Sequence, residues 1–289
     1  MENIKNKYYT GERPLFHQSN LNIDKTIFND GESPLKESNN INLKHSSFQW
    51  KYPLWYSNNI QVEDSNWLEM GRSGVWYTNH ITINNSLIQA PKNFRRCKDV
   101  TLDHVYLPHA DETFWNCKDI KLNHVQANGD YFGMNSENIQ INDFQLTGNY
   151  CFDGAKNIEV HHGRMLSKDA FWNTENVTVY DSIIHGEYIG WNSKNLTFIN
   201  CTIESLQGFC YIENLTLKNC TLLNTTLAFE YSSVEADING KVESIMNPTS
   251  GHIKADEIGQ LIFNEDYVDP SNTTIECSHI IERRKYAEL

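Results

Sequence analysis

A four-residue pattern of polar, aliphatic, polar and apolar positions recurs along the chain, usually with Asn or Asp first. We take the first aliphatic residue of each copy as position 0, which falls at Ile41, Ile60, Ile81, Val100, Ile120, Ile139, Ile158, Val177, Leu196 and Leu215. Successive copies are 19, 21, 19 and 20 residues apart, and the following five intervals are all 19 residues. The same spacing extends to Leu21, Val234 and Ile253, so about thirteen units are expected. A fixed period of this length is typical of a solenoid protein.

The alternation within each unit predicts strands rather than helices. Positions 0, +2 and +7 are mostly apolar, and Val, Ile, Leu, Thr and aromatic residues dominate the units. Position −6 carries Phe or an aliphatic residue in most units, which indicates a third inward-facing strand before position 0. The leucine and asparagine spacing of a leucine-rich repeat is missing. We therefore predict an all-β fold, a single-stranded right-handed parallel β-helix of about 12–13 coils with 19–21 residues each.

The pattern runs through the chain without a flexible linker, which predicts a single domain over residues 1–289. Residues 1–20 are expected to cap the first coil, because an open parallel edge would otherwise pair with another chain. Residues 21–233 form the regular coils. Residues 234–289 are expected to form degenerate coils followed by a C-terminal strand or tail.

Composition excludes several classes of function. The chain has 24 Lys and Arg against 37 Asp and Glu, a net charge of −13, so it should repel nucleic acid. No apolar segment has the length of a signal peptide core or a membrane span, so we expect a cytoplasmic protein without a membrane partner. The seven cysteines are odd in number and form no CxxC pair, which favours free thiols over a disulfide framework.

Several longer segments resemble a known family. They are GESPLKES (31–38), WKYPLWY (50–56), APKNFRRC (90–97), FDGAKN (152–157), DAFWNTENVTVYDS (169–182) and LAFEYS (227–232). Together they resemble a bacterial family of uncharacterised function with the pectin-lyase-like β-helix fold. The resemblance implies this fold, an intracellular bacterial origin and distant kinship with polysaccharide lyases and hydrolases. It implies no reaction, since no coil carries the NTD, DD and HG constellation of the polygalacturonases, nor a run of calcium-ligating Asp and Glu beside an RxxR-like base motif.

Large aromatic side chains recur at position −5, next to the inward position −6. If position −6 points inward, positions −5 and −9 point outward. Position −5 holds Trp55, Trp76, Arg95, Trp115, Met134, Asp153, Trp172 and Trp191, and position −9 adds Asp111, Asp130, Asn149, Lys168 and Glu187. Aromatic faces stack on sugar rings and carboxylates bind hydroxyls, so these columns predict a groove for a saccharide or a sugar-derived small molecule. The predicted ligand-binding residues are Trp55, Trp76, Arg95, Arg96, Trp115, Trp172 and Trp191.

Two alternatives remain open for the aromatic column. A reversed register would bury the tryptophans in the core and remove the groove. If the tryptophans do face outward, they are equally suited to a protein interface, and the chain would then be a non-catalytic interaction scaffold. The oligomeric state does not follow from the sequence.

Titratable residues near the aromatic column are the candidates for catalysis. They are Asp130, Asp153, Lys168, Asp169 and Glu187, which fall on neighbouring coils. Two carboxylates about 5–10 Å apart suit glycoside hydrolysis, and one or two coil steps give that separation. Whether the protein is an enzyme stays open, and if it is one, we expect a polysaccharide lyase or a glycoside hydrolase-like activity.

A second polar column follows at position +4. It contains His45, Asp64, Asn85, His104, His124, Asp143, His162 and Asp181. Ligands of a tight metal site approach from several directions, whereas a straight column at a corner suits hydrogen bonds between its own members and to the turn backbone. We therefore predict neither a metal site nor a cofactor.

Overall fold

A computed structural model of the protein describes residues 1–285. The described residues form β-strands, turns and two short 3₁₀ helices, at Glu69–Gly71 and Pro270–Asn272. The chain packs as two compact units, Met1–Thr147 and Gly148–Leu289. In each unit consecutive coils stack through parallel strand pairs, which confirms the all-β, right-handed parallel β-helix. This division does not test the expected single domain, which stays a prediction.

The strands range in length from 2 to 14 residues. The first unit contains β1 (Glu2–Lys5), β2 (Tyr8–Tyr9), β3 (Ser19–Asp24), β4 (Ile27–Phe28), β5 (Asn39–Lys44), β6 (Ser47–Phe48), β7 (Leu54–Trp55), β8 (Asn58–Glu63), β9 (Asn66–Trp67), β10 (Val75–Trp76), β11 (Asn79–Ile88), β12 (Lys98–Leu107), β13 (Lys118–Asn128) and β14 (Glu137–Thr147). The second unit contains β15 (Lys156–Leu166), β16 (Glu175–Tyr180), β17 (Ile183–Glu187), β18 (Lys194–Ile199), β19 (Thr202–Leu206), β20 (Glu213–Thr226), β21 (Ser233–Met246), β22 (Ser250–Phe263) and β23 (Thr273–Lys285).

The residues at position 0 stack directly on one another, as the repeat predicts. Ile60 pairs with Ile41 and with Ile81, and all three are at most 1% exposed. In the second unit Val177 pairs with Ile158 and with Leu196. These columns of aliphatic side chains form the core of each unit, because every coil buries its apolar face only against the coils beside it.

The stack is longer than the sequence count of 12–13 coils. Strands of the position 0 column number eight in the first unit and seven in the second. One additional strand is β1, which pairs with β3 and belongs to the segment that was expected to be only a cap. The other is β23, which pairs with β22 within the predicted degenerate region. Residues 286–289 of the predicted tail lie outside the described residues.

The sequence predicted Ile253 at position 0, and this prediction was wrong. Val234 pairs with Gly251, and Ile253 pairs with Ala236, so Ile253 occupies position +2 and its coil has only 17 residues between equivalent positions. A Cβ atom on Gly251 would lie 2.0 Å from the carbonyl oxygen of Val234. Position 0 of this coil therefore lacks a side chain, and the search for an aliphatic anchor selected the residue two positions later.

Left-handed backbone conformations form the corners of the coils. Asn40 and Asn59 at position −1 have φ angles of 56° and 54°, and their side chains hydrogen-bond to each other at 3.0 Å. Asparagine tolerates this conformation better than most residues. At position −6, Phe94 and Phe114 are also left-handed, with φ angles of 56° and 58°. A residue in this conformation interrupts a strand, so the third side of the coils is reduced from the short strands β7 and β10 to single bridging residues at Arg95.

The cysteines are free thiols in small interior spaces. Six of the seven are buried, and only Cys277 is partly exposed. The thiol of Cys117 donates to the carbonyl of Phe94 at 3.0 Å, and that of Cys220 donates to the carbonyl of Phe198 at 3.4 Å. Burial raises the pKa of Cys151 to about 12, because the thiolate would lose its hydration.

We expect one thiol of the folded protein, Cys277, to react rapidly with a disulfide reagent at neutral pH. The reagent must reach the sulfur atom, and burial blocks this access in the other six. Counting the released chromophore before and after denaturation should give one and then seven thiols. Cys277→Ser should remove the rapid phase, and a second rapid thiol in the native protein would contradict the described packing.

Candidate functional site

The tryptophans at position −5 lie outside the core. Phe114 and Phe171 at position −6 are at most 1% exposed, whereas their neighbours Trp115 and Trp172 are partly exposed. The predicted register is therefore correct and the reversed register is wrong. Trp67, which belongs to position +7, is the one tryptophan of the seven that is fully buried.

In the first unit these outward residues form a continuous stack. The rings of Trp55 and Trp76 lie 5.0 Å apart at an angle of 6°. The guanidinium of Arg95 lies 4.9 Å from the ring centre of Trp76 and 4.3 Å from that of Trp115. Each of the three indole N–H groups donates to a backbone carbonyl of the next coil, at 2.6 to 2.9 Å. Both faces of Trp76 are thus covered by its own column, so this column offers ring edges rather than open faces to a sugar.

The two arginines proposed as ligand contacts have partners within the first unit. Arg95 is sandwiched between two indoles and forms an ion pair with Glu112. Glu112 also accepts from Lys92 at 3.0 Å. Arg96 is exposed at a left-handed corner, with its guanidinium 5.9 Å from the ring centre of Tyr77. In this structure Arg95 stabilises the stack itself, and its role in ligand binding stays a prediction.

Four of the five predicted catalytic residues lie in the second unit. They are Asp153, Lys168, Asp169 and Glu187. Lys168 Nζ lies 2.9 Å from Glu187 Oε1, and Asp153 Oδ1 accepts from Asn173 Nδ2 at 2.9 Å. The fifth residue, Asp130, lies in the first unit, where its backbone N–H donates to Asp111 at 2.9 Å.

Asp169 differs from the other carboxylates because it is buried. Its exposed fraction is 7%, and it is hydrogen-bonded to Tyr150. Burial raises the pKa of the Asp169 carboxyl, and the negative charge of Glu187 raises it further, while Lys168 acts in the opposite direction. Asp169 occupies position −8, where the preceding and following coils carry Tyr150 and Tyr188. The hydrogen bond to Tyr150 also lowers the pKa of Asp169, so burial and the charge of Glu187 are what favour the proton-donating form.

Aromatic rings frame this cluster in a less regular arrangement than in the first unit. Trp172 donates to the carbonyl of Tyr188 at 2.9 Å. Tyr150 meets Trp172 edge-on, with ring centres 6.0 Å apart. Trp191 is tilted by 36° against Trp172 at 6.1 Å. The residue below Trp172 at position −5 is Asp153 rather than another aromatic ring.

An open groove of about 380 Å³ lies beside the cluster. Its lining includes Asn149, Lys168, His185, Glu187, Glu204 and Asn224. His185 Nδ1 lies 3.2 Å from Glu204 Oε2. The sequence prediction missed His185 and Glu204, although both are outward residues at position +8 of adjacent coils and could have been found by extending the outward columns beyond position +7.

The +4 column forms the expected ladder over much of its length. Asn219 Nδ2 donates to Asn200 Oδ1 at 2.8 Å, and Asn200 Nδ2 donates to Asp181 Oδ1 at 3.0 Å. His45 Nδ1 lies 2.8 Å from Asp24 Oδ1. Asp24 belongs to position +3, as does Asp103, but Asp103 contacts two imidazoles, His104 and His124, rather than one.

Residues 2–276 match a family described as "Protein of unknown function (DUF3737)". The chain belongs to this family. The match covers most of the chain, including the aromatic stack of the first unit and the carboxylates of the second unit. A comparison with curated proteins finds no match.

Solved structures similar to the DUF3737 protein include the surface protein and adhesin PfbA of Streptococcus pneumoniae, with 8% identity, a TM-score of 0.35 and coverage of 98% of this chain and 89% of that chain. A tailspike protein of E. coli bacteriophage HK620 in complex with a hexasaccharide has 10% identity and a TM-score of 0.46, with coverage of 91% of this chain and 66% of that chain. The A-module of Azotobacter vinelandii mannuronan C-5 epimerase AlgE4 has 9% identity and a TM-score of 0.30, with coverage of 99% and 89%. At these identities no function is carried over.

Among the described residues of the DUF3737 protein, no helix has the length and apolar character needed to cross a membrane.

Proposed function

We propose that this DUF3737 protein binds a neutral saccharide or a sugar-derived metabolite in the groove of its second unit, and that it acts there as a glycoside hydrolase-like enzyme. The observation that carries the proposal is the pairing of two carboxyl groups in contrasting environments. Asp169 is buried among aromatic rings, and Glu187 is held by an ion pair with Lys168 at 2.9 Å. Such pairs of carboxyl groups divide the roles of acid and base at one pH.

The lining of the groove supports a ligand rich in hydroxyl groups. Carboxylate oxygens of Glu187 and Glu204 accept hydrogen bonds from hydroxyls, and the amides of Asn149 and Asn224 donate and accept them. A volume of about 380 Å³ lies within the usual range of ligand pockets, about 300–1,000 Å³. The net charge of −13 disfavours a polyanionic chain and favours a neutral sugar.

In the proposed hydrolysis each residue has one role. Asp169 in its protonated form donates a proton to the oxygen of the departing group. Glu187 supplies the second carboxylate, which acts either as a nucleophile on the anomeric carbon or as a base toward a water molecule. Lys168 orients Glu187 through their ion pair.

The first experiment measures binding to a glycan array and the release of reducing ends. We expect Glu187→Gln to lose both glycan binding and turnover, because it removes a charged contact in the groove. Glu213→Gln is the matched control, since Glu213 forms an ion pair with Lys194 at the same 2.9 Å distance but does not line the groove. If the two variants lose binding equally, or if neither does, the groove is not the saccharide site.

A second candidate function, a protein-interaction scaffold, is favoured by a specific observation. Apolar side chains that are 43–48% exposed recur on neighbouring strands of the second unit, at Leu166, Ile183, Leu206 and Leu223. Exposed apolar patches mark interfaces as well as ligand grooves. Lack of any glycan signal together with a co-purifying protein that is released by Leu206→Lys would favour this alternative.

A further inference from the structure

One carboxylate and two imidazoles converge at a corner of the first unit. Asp103 Oδ1 lies 2.9 Å from Nδ1 of His104 and 3.3 Å from Nδ1 of His124. One ligand atom from each of the three residues lies within 4.8 Å of the other two. The imidazole rings are stacked, with centres 4.2 Å apart and an angle of 22° between them. Two nitrogen atoms and one oxygen atom are therefore close enough together to share one metal ion.

The same corner elsewhere shows a different arrangement. His45 is a single imidazole between two carboxylates, with Asp24 Oδ1 2.8 Å from Nδ1 and Asp64 Oδ2 3.6 Å from Nε2. Such a group is satisfied by hydrogen bonds and ion pairs along the column. His124 also lies between two carboxylates, Asp103 and Asp143. The difference is a second imidazole, because His104 follows Asp103 and contacts the same oxygen, whereas Lys25 follows Asp24. A column that needed only hydrogen bonds would be served by Asn, as at Asn200.

The surroundings provide a partner for the far nitrogen of one candidate ligand. Asp143 Oδ2 lies 3.6 Å from Nε2 of His124, on the opposite side of the ring from Asp103. When a metal ion occupies Nδ1, Asp143 can accept the proton that His124 then carries at Nε2. A carboxylate on the far nitrogen is the usual support of a metal-binding histidine. Asn123 donates to Asp103 at 2.8 Å and holds the carboxylate in place.

We propose that Asp103, His104 and His124 bind a divalent transition-metal ion, with zinc as the best match. Zinc bonds of about 2.0–2.2 Å to nitrogen and oxygen place the ligand atoms of a tetrahedral site about 3.3 Å apart. The two N···O distances, 2.9 and 3.3 Å, are close to this value without rearrangement of the backbone. Imidazole ligands select zinc and its transition-metal neighbours over calcium or magnesium. The straight +4 column alone did not predict the site, because the carboxylate comes from position +3.

The site leaves one coordination position open to solvent. His104, His124 and Asp143 line an open cavity of about 470 Å³, which Tyr106 and Gln126 also border. Three protein ligands with an accessible fourth position are typical of metal sites that bind water or a small ligand rather than only hold the fold together. The metal would present a water molecule to this cavity.

The experiment titrates the metal-free protein with zinc, and with cobalt as a coloured substitute for zinc. We expect one equivalent to bind, with the visible absorption of cobalt held by nitrogen and oxygen ligands. His104→Asn and His124→Asn should each weaken binding by more than about 100-fold, because each removes a direct ligand. Asparagine already occupies this corner at Asn85 with a left-handed φ of 47°, so both variants should fold. Circular dichroism and the melting temperature verify this.

His45→Asn is the matched control, because it removes a histidine from the same column and from the same unit without touching the site. It should bind cobalt with the affinity of the unaltered protein. Asp103→Asn gives an independent check, since it keeps an amide for the hydrogen bond to Asn123 but loses the charge. The proposal is overturned if the unaltered protein binds no stoichiometric metal, if His104→Asn and His124→Asn bind as tightly as it does, or if His45→Asn weakens binding equally.

Discussion

Replacing Asp169 by asparagine is expected to lower glycosidic turnover by about 10²–10⁴-fold while the protein stays folded. A general acid supplies a factor of this size in the transition state, and asparagine has no proton of suitable acidity to donate. The amide keeps the size of the side chain and can still hydrogen-bond to Tyr150. Asp237→Asn is the control, because Asp237 is an exposed partner of Lys254 at 3.3 Å in the same unit. Turnover that survives in Asp169→Asn would remove Asp169 from the mechanism.

The same variant has a predictable effect on stability. The folded-state pKa of Asp169 is raised, so the folded protein holds this proton more tightly than the unfolded chain does. The stability that this group contributes therefore falls as the pH rises from the ordinary aspartate pKa of 3.8 through the raised pKa, and above the raised pKa the group is destabilising. Asp169→Asn should be at least as stable as the unaltered protein at pH 7, and this advantage should shrink below pH 4. Urea midpoints measured at several pH values provide the test.

The repeat pattern predicted the fold because each coil has the same physical task. A residue such as Ile60 is buried only if the residues one coil before and after it are also apolar. The period is therefore visible without any knowledge of distant contacts. The pattern did not identify Gly251 as position 0 of its coil. Two backbones approach closely there, so no apolar side chain marks the position.

The candidate site was less predictable, because side-chain contacts are not periodic. The outward direction of Trp76 followed from strand alternation. The fact that both of its faces are covered depends on Trp55 and on Arg95, whose guanidinium could equally have extended into solvent. Likewise, Asp169 is only 7% exposed, which a list of outward charges does not reveal.

The cluster of Asp103 with His104 and His124 could not be predicted by comparing equivalent positions of successive coils. Position +3 is half-exposed and chemically varied from coil to coil, so its residues carry no repeating signal. Asp103 reaches His104 within its own coil and His124 in the next one. Because the two contacts run in different directions, only the three-dimensional arrangement brings the three ligand atoms together.

Phe171 and Trp172 are neighbours in the sequence, but the first side chain points into the core and the second points outward. Replacing each of them by alanine tests the largest effect on stability that we expect. Phe171 is fully buried, with Phe152 at 5.6 Å in a stacked geometry and Phe198 at 6.3 Å. Phe171→Ala should lower the free energy of unfolding by about 3–5 kcal/mol, because it leaves a cavity that the rigid coils cannot close. Trp172→Ala removes a larger side chain, but one that is partly in solvent before the change.

We expect Trp172→Ala to cost only about 1–2 kcal/mol, mainly from the hydrogen bond to Tyr188 and the contact with Trp191. Urea unfolding followed by tyrosine fluorescence and by circular dichroism should separate the two variants clearly. Coincident transitions by both probes are needed, since long repeat arrays can unfold in parts. A loss for Trp172→Ala that equals or exceeds the loss for Phe171→Ala would mean that the tryptophan column belongs to the core.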